Sequence, residues 1–178
     1  MSAVETIVEL APAGTWSIDP VHSGIEFAVK HSGIATVRGR FTGVEGRLVG
    51  GESPSLTGAI RIASIGTDDE QRDAHLLSPD FFDVERYPVA TFEATRFELG
   101  LVAGTLTLKG VSREVELEAS FGGTAIDAYG NERIGLELEG EIDRTDFGLS
   151  WNAPLPGGGL LLSDRVKLQA GFSLVKEA

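Results

Sequence analysis

Residues 23–31 read Ser-Gly-Ile-Glu-Phe-Ala-Val-Lys-His, and the fold follows from how they alternate. Ser23, Ile25, Phe27, Val29 and His31 share one face of an extended chain, and Glu26, Ala28 and Lys30 occupy the other. One apolar and one wet face is what antiparallel pairing produces. The rhythm returns in 113–121, where Val115, Leu117, Ala119 and Phe121 oppose Glu114, Glu116, Glu118 and Ser120. In 134–142, Ile134, Leu136, Leu138 and Ile142 oppose Glu137, Glu139 and Glu141. Near the C-terminus Val166, Leu168, Ala170, Phe172 and Leu174 oppose Arg165, Lys167, Gln169 and Ser173. Weaker alternations cover 34–41, 56–62, 89–97 and 104–108.

About eight such strands joined by short glycine-containing turns leave a sandwich or a closed barrel. No Cys…Trp…Cys pattern favours an immunoglobulin-type sandwich. The 23 glycines in 178 residues are well above the usual share of about 7%, and they are scattered as turns and strand bends require. One stretch breaks the pattern. In 67–78, TDDEQRDAHLLS, Thr67 and Glu70 stand at capping-box spacing and Pro79 follows, which predicts a short helix over 68–77. Such a helix places Arg72, His75 and Leu76 on one strip, the position of a cover over a barrel opening. No repeat, linker or low-complexity tract marks a second domain. The expected organisation is a flexible N-terminal segment over 1–13 and a barrel domain over 14–176.

Composition removes several classes of function. There are no cysteines, which excludes disulfides, thiolate metal sites and cysteine nucleophiles. Fifteen Lys+Arg against 27 Asp+Glu give a net charge of -12 without a basic block, so neither a nucleic-acid groove nor docking on an anionic membrane is expected. The opening MSAVETIVELAPAGTW has no basic start, and no apolar run approaches the 18 or so residues of a membrane span. A cytoplasmic protein with no stable membrane insertion is expected.

Enzyme signatures are missing too: no G-x-S-x-G elbow, no phosphate loop, no H-E-x-x-H. The triple glycine 157–159 lacks a strand–turn–helix context and reads as a hairpin tip after Pro154 and Pro156. The three histidines, His22, His31 and His75, lack the close spacing of common metal motifs, so no metal and no cofactor are expected. A Ser23–His22–Asp19 triad has suitable letters, but neighbours on a strand point to opposite faces. His31, in phase with Ile25, Phe27 and Val29, is either a hydrogen-bonded core residue or a contact to the polar end of a bound lipid. Arg72, beside Asp73 and His75, is either a helix-surface ion pair or a polar lid contact. Phe27, Phe41, Phe92, Phe97, Phe121, Phe147, Trp151 and Phe172 are expected to point inward, with Val29. Singly each suits ordinary core packing; together they suit the lining of a lipid-sized tunnel.

The stretches W-S-I-D-P-V-H-S-G-I-E-F-A-V-K-H (16–31), R-D-A-H-L-L-S-P-D-F-F-D (72–83), Y-P-V-A-T-F (87–92), G-T-L-T-L-K-G-V (104–111) and D-F-G-L (146–149) occur in an order that resembles the YceI-like family. The resemblance runs from about residue 14 to 176. It implies a lipocalin-like, extended antiparallel β-barrel enclosing a long isoprenoid such as a polyprenyl quinone or polyprenyl phosphate. It also implies a homodimer, no catalytic activity, and a polar part of the site at His22, His31, Arg72, Asp73 and His75. Many family members carry a signal peptide, and this sequence departs from that pattern. The function expected is therefore non-catalytic binding, storage or transport of such a lipid. Two alternatives stand beside it: an enzyme acting on a lipophilic molecule with His31 or His75 as acid–base group, and a packed barrel without ligand.

Overall fold

The computed structural model describes residues 11–178. Of the expected N-terminal segment, 1–10 lie outside the described residues, while Ala11 is buried and the Pro12 carbonyl accepts from Trp16 Nε1.

The strands are β1 (Gly14–Ile18), β2 (Gly24–His31), β3 (Ala35–Phe41), β4 (Val44–Gly50), β5 (Ser55–Arg61), β6 (Ile65–Gly66), β7 (Val89–Glu98), β8 (Leu101–Leu108), β9 (Val111–Ile126), β10 (Glu132–Asp143) and β11 (Leu162–Lys176). One α-helix among the described residues, α1 (Glu70–Leu77), lies between β6 and β7. Antiparallel pairings run β1–β4–β5–β7–β8–β9–β10–β11 and return to β1, so the sheet closes into an eight-stranded barrel. β2 and β3 extend its wall. β2 follows β1 along the same edge of β11, β3 turns into β4 through Thr42 and Gly43, and the short β6 pairs with β3.

The break between β1 and β2 is made by Asp19-Pro20-Val21-His22. Pro20 cannot donate to a ladder. Ser23 repairs the gap in its place: its Oγ accepts from the Ser173 backbone N–H at 3.0 Å. That is the work of this buried serine. His22 Nδ1 does bond Asp19 at 2.8 Å, but the imidazole is exposed and the three groups make no relay.

Inward side chains form two cores. Trp16, Leu48, Leu56, Val102, Ile134, Leu136 and Leu174 fill the end where β1 enters. Phe41, Ile62, Phe81, Leu106, Leu108, Phe147 and Leu149 belong to the other. There α1 and residues 78–84 lie across the barrel. The helix begins at Asp69, whose side chain accepts from the Arg72 backbone N–H. Thr67, the expected cap, instead bonds Asp73 and Arg72 through its hydroxyl, which is why the helix starts later than 68. After Ser78 the chain folds back on the helix end, Phe82 and Val84 donating to the Leu76 and Leu77 carbonyls.

Candidate functional site

The inward faces of β2, β5, β8, β10 and β11 enclose a cavity of about 350 Å³, within the range of small-molecule sites. Ile25, Phe27, Val29 and His31 contribute from β2, and Val166, Leu168, Ala170 and Phe172 from β11. Its lining along β11 runs from Leu162 to Phe172, about 33 Å of strand at roughly 3.3 Å per residue. A barrel tilt of about 35–45° turns that into roughly 25 Å along the axis. A volume this small drawn over such a length is a narrow channel. Its lower limit is set by Ile18, Val44, Leu56, Leu138 and Phe172; beyond them the barrel is packed with Trp16, Leu48, Ile134, Leu136 and Leu174. The exposed lining residues are Arg72 of α1 and Glu45 and Thr57 on the β4–β5 wall.

The rings line the channel by lying against its wall. Phe27 stands opposite Gly39 in the β2–β3 register, and a Cβ at Gly39 would fall 2.3 Å from Phe27 Cζ. Phe92 similarly covers Gly104. At the covered end His75 packs edge-on to Trp151 and Phe81, with centroids 4.8 Å and 5.1 Å away. Its Nε2 donates to Asp80 at 2.9 Å. Phe41 bridges Phe27 and Phe82.

Of the residues singled out in the sequence, Phe27, Val29, Phe41, Phe92, Trp151, Phe172, His31, Arg72 and His75 face the channel. Phe97 and Phe147 are buried in the two cores, and Phe121 packs against the lower one. Asp73 is a support residue: its carboxylate accepts from the Thr67 N–H and hydroxyl, while Arg72 Nε donates to the same hydroxyl at 2.8 Å. His22 stands apart, at the β1–β2 break. There Arg133 bonds Asp19 at 2.8 Å and Asp127 at 2.7 Å, and these bonds hold both carboxyls well below the usual carboxylate range.

Sequence reasoning missed Arg144. It follows Ile134, Leu136, Leu138 and Ile142 in the same phase, a signal that an arginine enters the barrel, and it lines the channel at 4% exposure. Among the described residues no three of His, Cys, Asp and Glu gather as metal ligands. No helix among them is long and apolar enough to cross a membrane.

A family model for the YceI-like domain matches residues 16–174. A UPF0312 protein of Staphylococcus aureus (strain N315) is 33% identical over 160 residues, covering 87% of this chain and 94% of the relative. The crystal structure of a Campylobacter jejuni YceI protein has a TM-score of 0.70 at 31% identity, covering 84% of this chain and 90% of that one. A polyisoprenoid binding domain from Saccharophagus degradans, implicated in plant cell wall breakdown, shares the fold, with a TM-score of 0.68 at 19% identity and coverage of 91% and 98%.

Proposed function

This chain belongs to the YceI-like family, and from that premise we propose that it holds a long isoprenoid lipid inside the barrel, as a carrier or store without turnover. The observation that carries the reading is the channel: narrow, apolar, lined by aromatic rings and stopped at one end by a packed core. Its length of roughly 25 Å exceeds the depth of one leaflet, since a bilayer's hydrocarbon core of about 30 Å spans two. A chain-shaped ligand longer than an ordinary acyl tail fits such a space. The Saccharophagus degradans neighbour, described as a polyisoprenoid binding domain, supports the same ligand class. The open volume also weighs against a fully packed barrel.

Burial of each methylene contributes about 0.8 kcal/mol, or roughly 3–4 kcal/mol per five-carbon unit. Ordering the chain offsets much of this, because noncovalent affinities level off near −18 to −21 kcal/mol. Slow release follows. A homodimer and a cytoplasmic location belong to the same proposal, tested by light scattering and by cell fractionation.

Native mass spectrometry of gently purified protein, followed by organic extraction, tests the reading. The expected result is a discrete adduct whose mass matches a polyprenyl compound. A bare chain mass, with no uptake when quinones or polyprenols are offered, would overturn it.

A further inference from the structure

In a sequence of which 24% is charged, residues 147–163 are the longest stretch without Asp, Glu, Lys or Arg. Between Ala153 and Leu161 they form a small hairpin whose outer part, 156–160, is exposed. Leu161 N–H donates to the Ala153 carbonyl at 2.9 Å and Leu155 N–H to the Gly159 carbonyl at 3.0 Å, while positive φ at Gly158 and Gly159 closes the tip. Asn152 braces the root: its side-chain nitrogen donates to the Leu162 carbonyl at 2.8 Å, and its oxygen accepts from the Leu162 N–H at 2.9 Å. The β2–β3 turn stands beside this hairpin. Ser32 N–H donates to the Leu161 carbonyl at 2.7 Å, and His31 pairs with Leu162. The two adjoining turns present Ile34, 85% exposed, and Leu160, 58% exposed. A single exposed aliphatic residue is ordinary; two on neighbouring uncharged turns form a patch. His31, Val37, Leu161 and Leu162, from the same two elements, line the channel at the end away from the packed core.

Charge says what the patch meets. Residues 24–41 hold Lys30, Arg38 and Arg40 against Glu26, three cations less one acid, and so sum to +2 in a chain of -12. These cations are exposed on the outer face of β2 and β3, and none is in an ion pair among the described residues. The acids near this end belong to other elements: Asp164 lies against Arg144, and Asp69 and Glu70 open α1. Salt screens acids elsewhere on the barrel beyond a Debye length of about 8 Å, so the local sign counts. Aliphatic tips backed by free Lys and Arg suit the surface of a phospholipid bilayer. The tips enter the boundary between headgroups and acyl chains, and the long cationic side chains reach phosphate oxygens. At the closed end Val21 and Tyr129 are also exposed, but Asp19 and Asp127 bond their backbone N–H groups and the barrel beneath is packed.

We propose that the Ile34 and Leu160 turns dock the barrel end-on to a phospholipid bilayer, and that the lipid enters and leaves the channel there. This rests on the lipid-binding reading above and adds the surface with which the carrier exchanges its load.

The test sediments the full chain with vesicles of phosphatidylcholine carrying one quarter phosphatidylglycerol. The wild type is expected to sediment with them, and I34D/L160D to bind about tenfold more weakly, because each carboxylate must enter the interface. K30E/R38E is expected to weaken binding several-fold. V21D/Y129D, exposed at the other end, is expected to bind as the wild type does. All six positions are exposed, so the variants keep the fold. No sedimentation of the wild type, undiminished binding by I34D/L160D, or an equal loss in V21D/Y129D overturns the proposal. Farnesol titrated from solution separates the two readings, since its affinity is expected to be the same in I34D/L160D and the wild type. Failure of farnesol and of longer polyprenols to bind overturns the carrier reading itself, whichever way the vesicles decide on docking.

Discussion

Two residues apart on β11, Leu174 and Phe172 show how one alternating strand serves two ends of a barrel. Leu174 is shut from solvent among Trp16, Ile134 and Leu136, with partners on every side. Phe172 pairs with Leu136 across the sheet, yet its side chain is only partly buried and borders the channel. Both point inward and both are apolar, so inward orientation alone does not decide whether a barrel is packed or hollow. The difference lies in what stands opposite. At the closed end large side chains meet large side chains. At the channel end Phe27 and Phe92 fold down over Gly39 and Gly104, which keeps their rings against the wall and off the axis. That end is covered by α1, residues 78–84 and Trp151, elements outside the strands.

The largest effect that can break this comparison is on stability. Leu174→Ala empties a packed site and is expected to cost about 2–5 kcal/mol. Phe172→Ala removes more atoms but is expected to cost less, about 1–2 kcal/mol, because this side chain is only partly buried and borders open volume. It also deepens the channel, so longer prenyl chains gain affinity over shorter ones. Urea denaturation of the two variants checks the order, and an equal or reversed order would mean that the channel end is packed like the closed one.

Gly39→Ala comes next. Its new methyl falls on the Phe27 ring, which swings toward the axis, so lipid affinity is expected to drop at least tenfold. Stability should change by only about 1–3 kcal/mol, the usual scale for overpacking. Unchanged affinity by titration calorimetry would show that the ring's position does not set the bore.

The same contrast marks how far the sequence could be read. Strong alternation became β2, β9, β10 and β11 because these strands keep one side chain in two facing a continuous core. β4 escaped notice because Gly46 occupies an inward position: a Cβ there would meet the Thr57 carbonyl at 2.4 Å, so the apolar rhythm is interrupted where the chains crowd. β1 is too short, at five residues, to show a period. Among the candidate site residues, phase told which way the aromatics point but not their height along the axis. Phe97 and Phe121 therefore share an expectation with Phe27 and Phe92 while packing at the closed end, and Phe147, on the turn after β10, is buried in the channel-end core without lining the channel. Arg144 was in phase with the inward row, yet a charged residue is not what an apolar pattern brings to attention.

The smallest expected effect sharpens the comparison through pH. At the closed end Arg133 ties the β1–β2 break to the β9–β10 turn by bonding Asp19 and Asp127. Arg133 is the first cause of the lowered pKa at both carboxyls, helped at Asp19 by His22 and at Asp127 by the Asn131 backbone N–H. A carboxyl whose folded pKa is depressed contributes stability that is fully present above its unfolded value of about 3.9. That contribution falls as pH drops below about 4, where the unfolded chain takes up protons the folded one refuses. All three side chains are partly exposed, so solvent and salt screen the pairs and the effect is modest. Arg133→Met should therefore lower stability slightly at pH 7, and its gap from the wild type should close as pH falls from 4 toward 2. A gap that stays constant across that range would show that the ion pairs contribute nothing beyond packing. Because Arg133 does not line the channel, lipid affinity at pH 7 should be the same in this variant as in the wild type. Loss of binding would mean that the closed end and the channel are coupled after all.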